Sequence, residues 1–266
     1  MILRVAAIIL FGMSGSLIAA DEPVTPAEKM AAMRQRAEAL QLRIGDQKDL
    51  RRVGKQPLLR YNDPARTTTD GTLWLWTQDE RPVAAVCLFN DSREGFQWNY
   101  ELVSLCDSAL LVDGRQGWNW KPAANMRTRV RITEPAPADS EPARLIQMKE
   151  LLTQFQAEEE LDGQRTQLRL LPRPVHRYRC ADEKIDDGAM FLFVFGTNPE
   201  VLTQIEVLSD RSWQISFARC SSAILKVIRD EKTVWEADRV REWNPSHEYF
   251  SHYGPDRGEN EPRKSP

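Results

Sequence analysis

The chain repeats itself. Laid on itself at an offset of 117 residues, the stretch Pro57–Trp118 falls on Pro174–Trp235 without a gap. Arg60-Tyr61 meets Arg177-Tyr178, Asp70-Gly71 meets Asp187-Gly188, Pro82 meets Pro199, and Trp118 meets Trp235. Between these anchors, substitutions keep their character: Trp74 and Trp76 become Phe191 and Phe193, and Tyr100 becomes Phe217. Register held over this length marks a duplicated structural unit, and each copy must satisfy the same backbone.

Within each copy the apolar residues alternate as strands do. The runs Thr72–Thr77 and Ala189–Phe195 are apolar on both faces, which suits a central strand covered on both sides. A hairpin follows, with Pro82–Phe89 and Phe96–Cys106 flanking a polar turn. In its second strand Phe96, Trp98, Tyr100 and Leu102 share one face, while Gln97, Asn99 and Glu101 share the other. Such alternation implies one buried face and one wet face.

A helix precedes each copy. Thr25-Pro26-Ala27-Glu28 is a capping box with proline at the first helical position, followed by the stripe Met30, Met33, Ala37 and Leu40. A second helix is expected from about Pro142 to Glu159, with Leu145, Met148, Leu152 and Phe155 as its stripe, widened by Ile146 and Leu151. The expected fold class is α+β: two tandem pseudo-equivalent units, each a helix packed on an antiparallel sheet of four to five strands. The expected boundaries are 21–122 for the first unit and 141–242 for the second. A proline-rich linker with one short strand fills 123–140, and a disordered tail occupies 243–266.

Residues 1–20 read as a cleaved signal peptide. One charge at Arg4 precedes an apolar run, and small residues end it at Ala19-Ala20. Gly12, Ser14, Gly15 and Ser16 interrupt the run, which falls short of the ~20 apolar residues that span a bilayer. A periplasmic or secreted chain without a membrane anchor is therefore expected. Its formal charge of −3 becomes −4 when Arg4 leaves, which argues against nucleic acid as a partner. The four cysteines, Cys87, Cys106, Cys180 and Cys220, allow two disulfides or buried free thiols, and both remain open. No cysteine in one copy matches a cysteine in the other, and no spacing resembles CxxC or a zinc motif.

Chemistry is sparse. The three histidines, His176, His247 and His252, read as structural or as residues of the tail, and no metal or cofactor is expected. The acidic run Glu158-Glu159-Glu160 reads as a solvated helix end. Glu101 and Asp107 are the pair nearest to a glycosidase arrangement, but the second copy has Ala218 and Ile224 there. The candidate binding surface is the wet strand face of Gln97, Asn99 and Glu101, joined by Arg127, Arg129 and Arg131 on one face of the linker strand. It would take a protein, peptide or glycan partner. The expected role is non-enzymatic binding or scaffolding; the alternatives are an exported hydrolase, with carbohydrate as a candidate substrate, and a lipid or small-molecule carrier with an apolar tunnel between helix and sheet.

The stretches Asp70-Gly-Thr-Leu-Trp-Leu-Trp, Leu145-Ile-Gln-Met-Lys-Glu-Leu and Leu170-Leu-Pro-Arg-Pro-Val-His-Arg-Tyr resemble those of a family of exported proteins from Planctomycetes. The resemblance covers most of the chain beyond residue 20 and implies export; no catalytic residue comes with it. In layout alone, tandem helix-plus-sheet units are similar to the beta-lactamase inhibitory protein, whose two units form a concave sheet that grips a partner.

Overall fold

Pairing along the chain follows the repeat almost strand for strand. The computed structural model describes residues 25–254 apart from 46, 64–67, 92–96, 114–117 and 125–126, so the expected signal segment lies outside the described residues. Helix α1 (Pro26–Ala39) leads into β1 (Gln41–Ile44), β2 (Gln47–Asp49), β3 (Arg51–Arg52), β4 (Leu59–Asp63) and β5 (Thr68–Gln78). Next come β6 (Arg81–Asp91), β7 (Gln97–Ser104), β8 (Leu110–Asp113), β9 (Asn119–Trp120) and the connecting strand β10 (Arg129–Ile132). Helix α2 (Glu141–Leu152) opens the second copy with β11 (Phe155–Leu161), β12 (Gln164–Leu170), β13 (His176–Cys180), β14 (Ile185–Phe195) and β15 (Asn198–Leu208). It ends with β16 (Trp213–Arg219), β17 (Ile224–Arg229) and β18 (Lys232–Ala237), after which β19 (Tyr249–Gly254) follows. β4, β5 and β6 begin and end 117 residues before β13, β14 and β15.

The expected α+β class is wrong: the chain is mainly β, with only two helices among the described residues and a nearly closed barrel-like sheet rather than helices laid on open sheets. In the second copy nine strands run in the order β10-β16-β15-β14-β12-β11-β17-β18, with β13 also on β14, and curl into a nearly closed barrel. The first copy divides this path into a six-stranded sheet (β19-β7-β6-β5-β3, with β4 on β5) and a four-stranded one (β2-β1-β8-β9). The division falls where β2 and β3 replace the single strand β12. Period-two segments dominate the chain, and curling lets one sheet bury its own inner face; a single helix then suffices to fill it.

Both helices start near their expected positions. Thr25 Oγ1 accepts from Glu28 N at 3.3 Å and Glu28 Oε2 accepts from Thr25 N at 2.7 Å, closing the capping box. Met33 and Ala37 then enter the first interior beside Trp74, Trp76, Tyr100 and Trp120. Helix α2 stops at Leu152, not at Glu159. From Phe155 the period changes to two, so Phe155, Ala157 and Glu159 point inward from β11, and Glu159 is buried rather than solvated. Ile146, assigned to the buried stripe, is 57% exposed.

A third core lies between the copies. Leu73, Leu75, Ala85, Cys87 and Val103 of the first sheet pack against Met190, Leu192, Val194, Leu202 and Ala218 of the second. This contact explains why β5 and β14 are apolar on both faces: the tryptophans and phenylalanines fill the interiors, and the intervening leucines and methionine fill the joint. The hairpin tips clasp across it. Thr197 Oγ1 accepts from Asn62 N at 3.1 Å, and His176 Nε2 meets the Glu80 carbonyl at 2.9 Å.

The copies also exchange strands. β10 follows the first copy in sequence but pairs with β16 of the second, and β19 follows the second copy but pairs with β7 of the first. The segment 123–140 is therefore more than a linker. Nor is all of 243–266 disordered, since Tyr249, Phe250 and Ser251 of β19 are buried. An apolar Tyr-Phe pair offered to an open sheet edge outweighs the polar composition around it.

The repeated Arg-Tyr and Asp-Gly dipeptides form one packing unit, seen twice. Arg60 holds Asp70 through two bonds of 2.7 Å, and Arg177 pairs with Asp187, which Arg144 also binds at 2.8 Å. The glycines lie within strands and are covered by the tyrosine rings. A Cβ on Gly71 would stand 2.4 Å from Tyr61 Cζ, and one on Gly188 would stand 2.5 Å from Tyr178 Cε2. Gly188→Ala should therefore lower stability by about 1–3 kcal/mol in urea unfolding. Combined with Tyr178→Ala, the loss should be smaller than the sum of the two single losses, because the clash is then gone.

Candidate functional site

β7 carries Asn99, Glu101 and Val103 on the face that meets the other copy, so the face expected to be wet is closed. Asn99 is 1% exposed, and Glu101 is half-buried, accepting from Tyr249 Oη at 2.6 Å. The side chain of Gln97 lies outside the described residues. The alternation holds, but the partner of the polar face is protein rather than water.

The three arginines do not form one row with these residues. Arg127 precedes β10 and donates to the Leu105 carbonyl, to Gln204 Oε1 and, at 2.8 Å, to Ser216 Oγ. Its amide donates to Asp107 Oδ1 at 3.0 Å. Burial pulls the Arg127 guanidinium down to about 10, and the neighbouring Arg81 acts in the same direction. Arg129 pairs with Asp107, and Arg131 pairs with Asp210 at an exposed position. Glu101 and Asp107, the pair nearest to a glycosidase arrangement in the sequence, thus serve separate structural partners.

Two polar clusters sit in the joint, and they differ in character. The first is Arg81–Glu206. Arg81 grips the carboxylate with bonds of 2.9 and 3.1 Å, and Tyr178 Oη and Gln214 Nε2 add donors at 2.9 and 3.1 Å. Burial and the Glu206 charge push the Tyr178 hydroxyl well above its usual range, which keeps it a proton donor. This is a satisfied buried ion pair, able to hold structure and without a reacting group.

The second cluster joins Cys87 on β6, Glu101 on β7 and Cys220, which follows β16. The Cys87 and Cys220 sulfurs are 3.2 Å apart, and both residues are buried as free thiols. The two sulfurs and a Glu101 carboxylate oxygen all lie within 4.8 Å of one another. A hydrogen bond with Cys87, then burial, pushes the Cys220 thiol well up. Tyr61 borders the group; burial raises its hydroxyl, as do the nearby Cys87, Glu101 and Cys220. Arg219 stacks 5.2 Å from the Tyr249 ring centroid while its nitrogens donate to the carbonyls of Ser221, Ala223 and Asp238.

Cysteine count and spacing could not reveal this group, because its thiols are 133 positions apart and meet only when the copies dock. The one available signal was that no cysteine has a counterpart in the other copy. At the offset of 117, Cys87 corresponds to Gln204, Glu101 to Ala218, Val103 to Cys220 and Phe89 to Glu206. The duplicates have diverged in the joint itself.

Two surface clefts are open to solvent. One of about 400 Å³ is lined by Pro26, Lys29, Arg60, Asp70 and Thr197; another of about 600 Å³ is lined by Glu160, Asp162, Arg239 and Arg241. Neither includes Glu101 or Asp107. Comparison with known proteins finds no matching family model, no similar curated protein and no matching solved structure.

The buried and exposed ion pairs should separate cleanly on mutation. Arg81→Ala leaves the Glu206 charge uncompensated at 1% exposure and should cost about 3–5 kcal/mol. Arg131→Ala breaks a pair whose side chains are about half exposed and should cost no more than about 1 kcal/mol. Urea midpoints of the two variants, measured against the parent chain, decide this.

Proposed function

We propose that the chain is an exported, non-enzymatic protein whose fused halves act as one rigid binding or scaffolding body for a protein, peptide or glycan. The observation that carries this reading is the asymmetry of the joint. Residues that differ between the copies, Glu206 against Phe89 and Cys220 against Val103, lock one half to the other instead of furnishing a cleft. Reciprocal strand exchange through β10 and β19 supports the same reading, since neither sheet is complete without chain from beyond its own copy.

Other observations weigh against the rival roles. Trp74, Trp120, Trp213 and Phe191 fill the interiors at 0% exposure, where a carrier would need space. Glu101 is bound by Tyr249 inside the joint, where a glycosidase acid would need to meet sugar. The resemblance to exported planctomycete proteins and the apolar segment Met1–Ala20 support export, and among the described residues no helix is long and apolar enough to cross a membrane.

Export is tested by expressing the full sequence in a Gram-negative host. The chain should reach the periplasm with its N-terminus at Ala20 or Asp21; cytoplasmic chain retaining Met1 would overturn it. The binding role is tested by a thermal-shift screen against peptides and glycans run beside chromogenic glycoside, ester and phosphate substrates. A saturable rise in melting temperature without turnover is expected, and turnover lost on Glu101→Gln would replace this reading with a hydrolase.

A further inference from the structure

We propose that Cys87, Glu101 and Cys220 form a binding site for one divalent cation of the zinc class, held between the two halves of the chain. The reach is right. Three donor atoms lie within 4.8 Å of one another, about twice a zinc–sulfur bond of ~2.3 Å, so one ion fits within bonding distance of all three. The donor set is right as well. Two thiolates and one carboxylate select a borderline-soft ion over magnesium or calcium, and three protein ligands leave a fourth position for water.

Polar groups around the trio point to a hydrogen-bonding occupant. In the register of β6, β7 and β19, Cys87, Glu101 and Ser251 stand in one row. Asn99 lies two residues before Glu101, on the same face. Ser251 Oγ and both amide atoms of Asn99 are buried without a hydrogen-bond partner, at 1% exposure each. Orphaned buried polar atoms are costly, and a metal-bound water would give this row a partner. The bond from Tyr249 Oη to Glu101 orients the carboxylate, as supporting residues do around metal ligands.

A dication deprotonates the thiols it binds, so the trio would hold it as two thiolates and a carboxylate. The site also has a mechanical consequence. Cys87 and Glu101 belong to strands of the first copy, and Cys220 follows β16 of the second, so the ion would tie the halves. The rival occupant is a Cys87–Cys220 disulfide, formed by exchange with an oxidised dithiol carrier that gains the two electrons and two protons released. That bridge would leave the Ser251 and Asn99 side chains as they are, without partners.

The test uses the full chain, reduced and stripped with chelator, titrated with Co²⁺. One equivalent should produce a thiolate-to-cobalt charge-transfer band in the near ultraviolet, displaced by Zn²⁺. Cys87→Ser or Cys220→Ser should abolish the band, Glu101→Gln should weaken affinity by at least about 10-fold, the lower end of what losing a mere supporting residue costs, and Cys106→Ser should change nothing. Glu101→Gln keeps the size of the side chain, so the test stands even if a serine variant fails to fold. No band in the parent chain, a band that survives Cys220→Ser, or unaltered affinity in Glu101→Gln would overturn the site. So would peptide mapping of unreduced chain that finds Cys87 and Cys220 fully joined as a disulfide.

Discussion

The apolar contact between the two sheets is the interaction on which everything else rests. Leu73, Leu75, Ala85 and Val103 on one side and Met190, Leu192, Val194 and Leu202 on the other are each at most 1% exposed. At ~25 cal/mol per Å² of apolar area, burial on this scale is a major share of what holds a chain of this size together. It demands that β5, β6 and β14 be apolar on both faces, it closes what would be the wet face of β7, and it brings Cys87 against Cys220. Neither curled sheet could stand alone without exposing that face to water.

Duplication has been used unevenly. The parts kept in both copies are those the backbone requires: a glycine that admits a tyrosine ring, an aspartate that the preceding strand's arginine can grip, and aromatics that fill an interior. The parts that differ sit in the joint, where perfect symmetry would have placed two like groups face to face. The open concave sheet suggested by the likeness in layout to the beta-lactamase inhibitory protein does not occur, because the two sheets cover each other.

Local rules read some of this chain well. The capping box at Thr25 and Glu28 involves groups three residues apart, so nothing distant could override it. The hairpins β5–β6 and β14–β15 follow from alternation and from the repeat. The end of α2 was misplaced because Leu152 and Phe155 fit a helical stripe as readily as Phe155 and Ala157 fit a strand. Strand β19 was missed because its polar surroundings outweighed Tyr249-Phe250, whose burial depends on an edge that belongs to the other copy. The proposed site residues were placed on one surface because periodicity says that a face is polar, and never what lies against it.

By itself, then, the sequence determined the duplication, the strand periods and the positions at which the two copies must agree, since those constraints act within a copy and recur at 117 residues. Only the tertiary structure decided that the sheets curl rather than stay open, that β10 and β19 cross between copies, and that Asn99 and Glu101 face protein. The same docking set two cysteines 133 residues apart beside one carboxylate. The reason is physical. Alternation fixes which side chains share a face, but the occupant of that face is chosen by contacts between segments that no local pattern encodes.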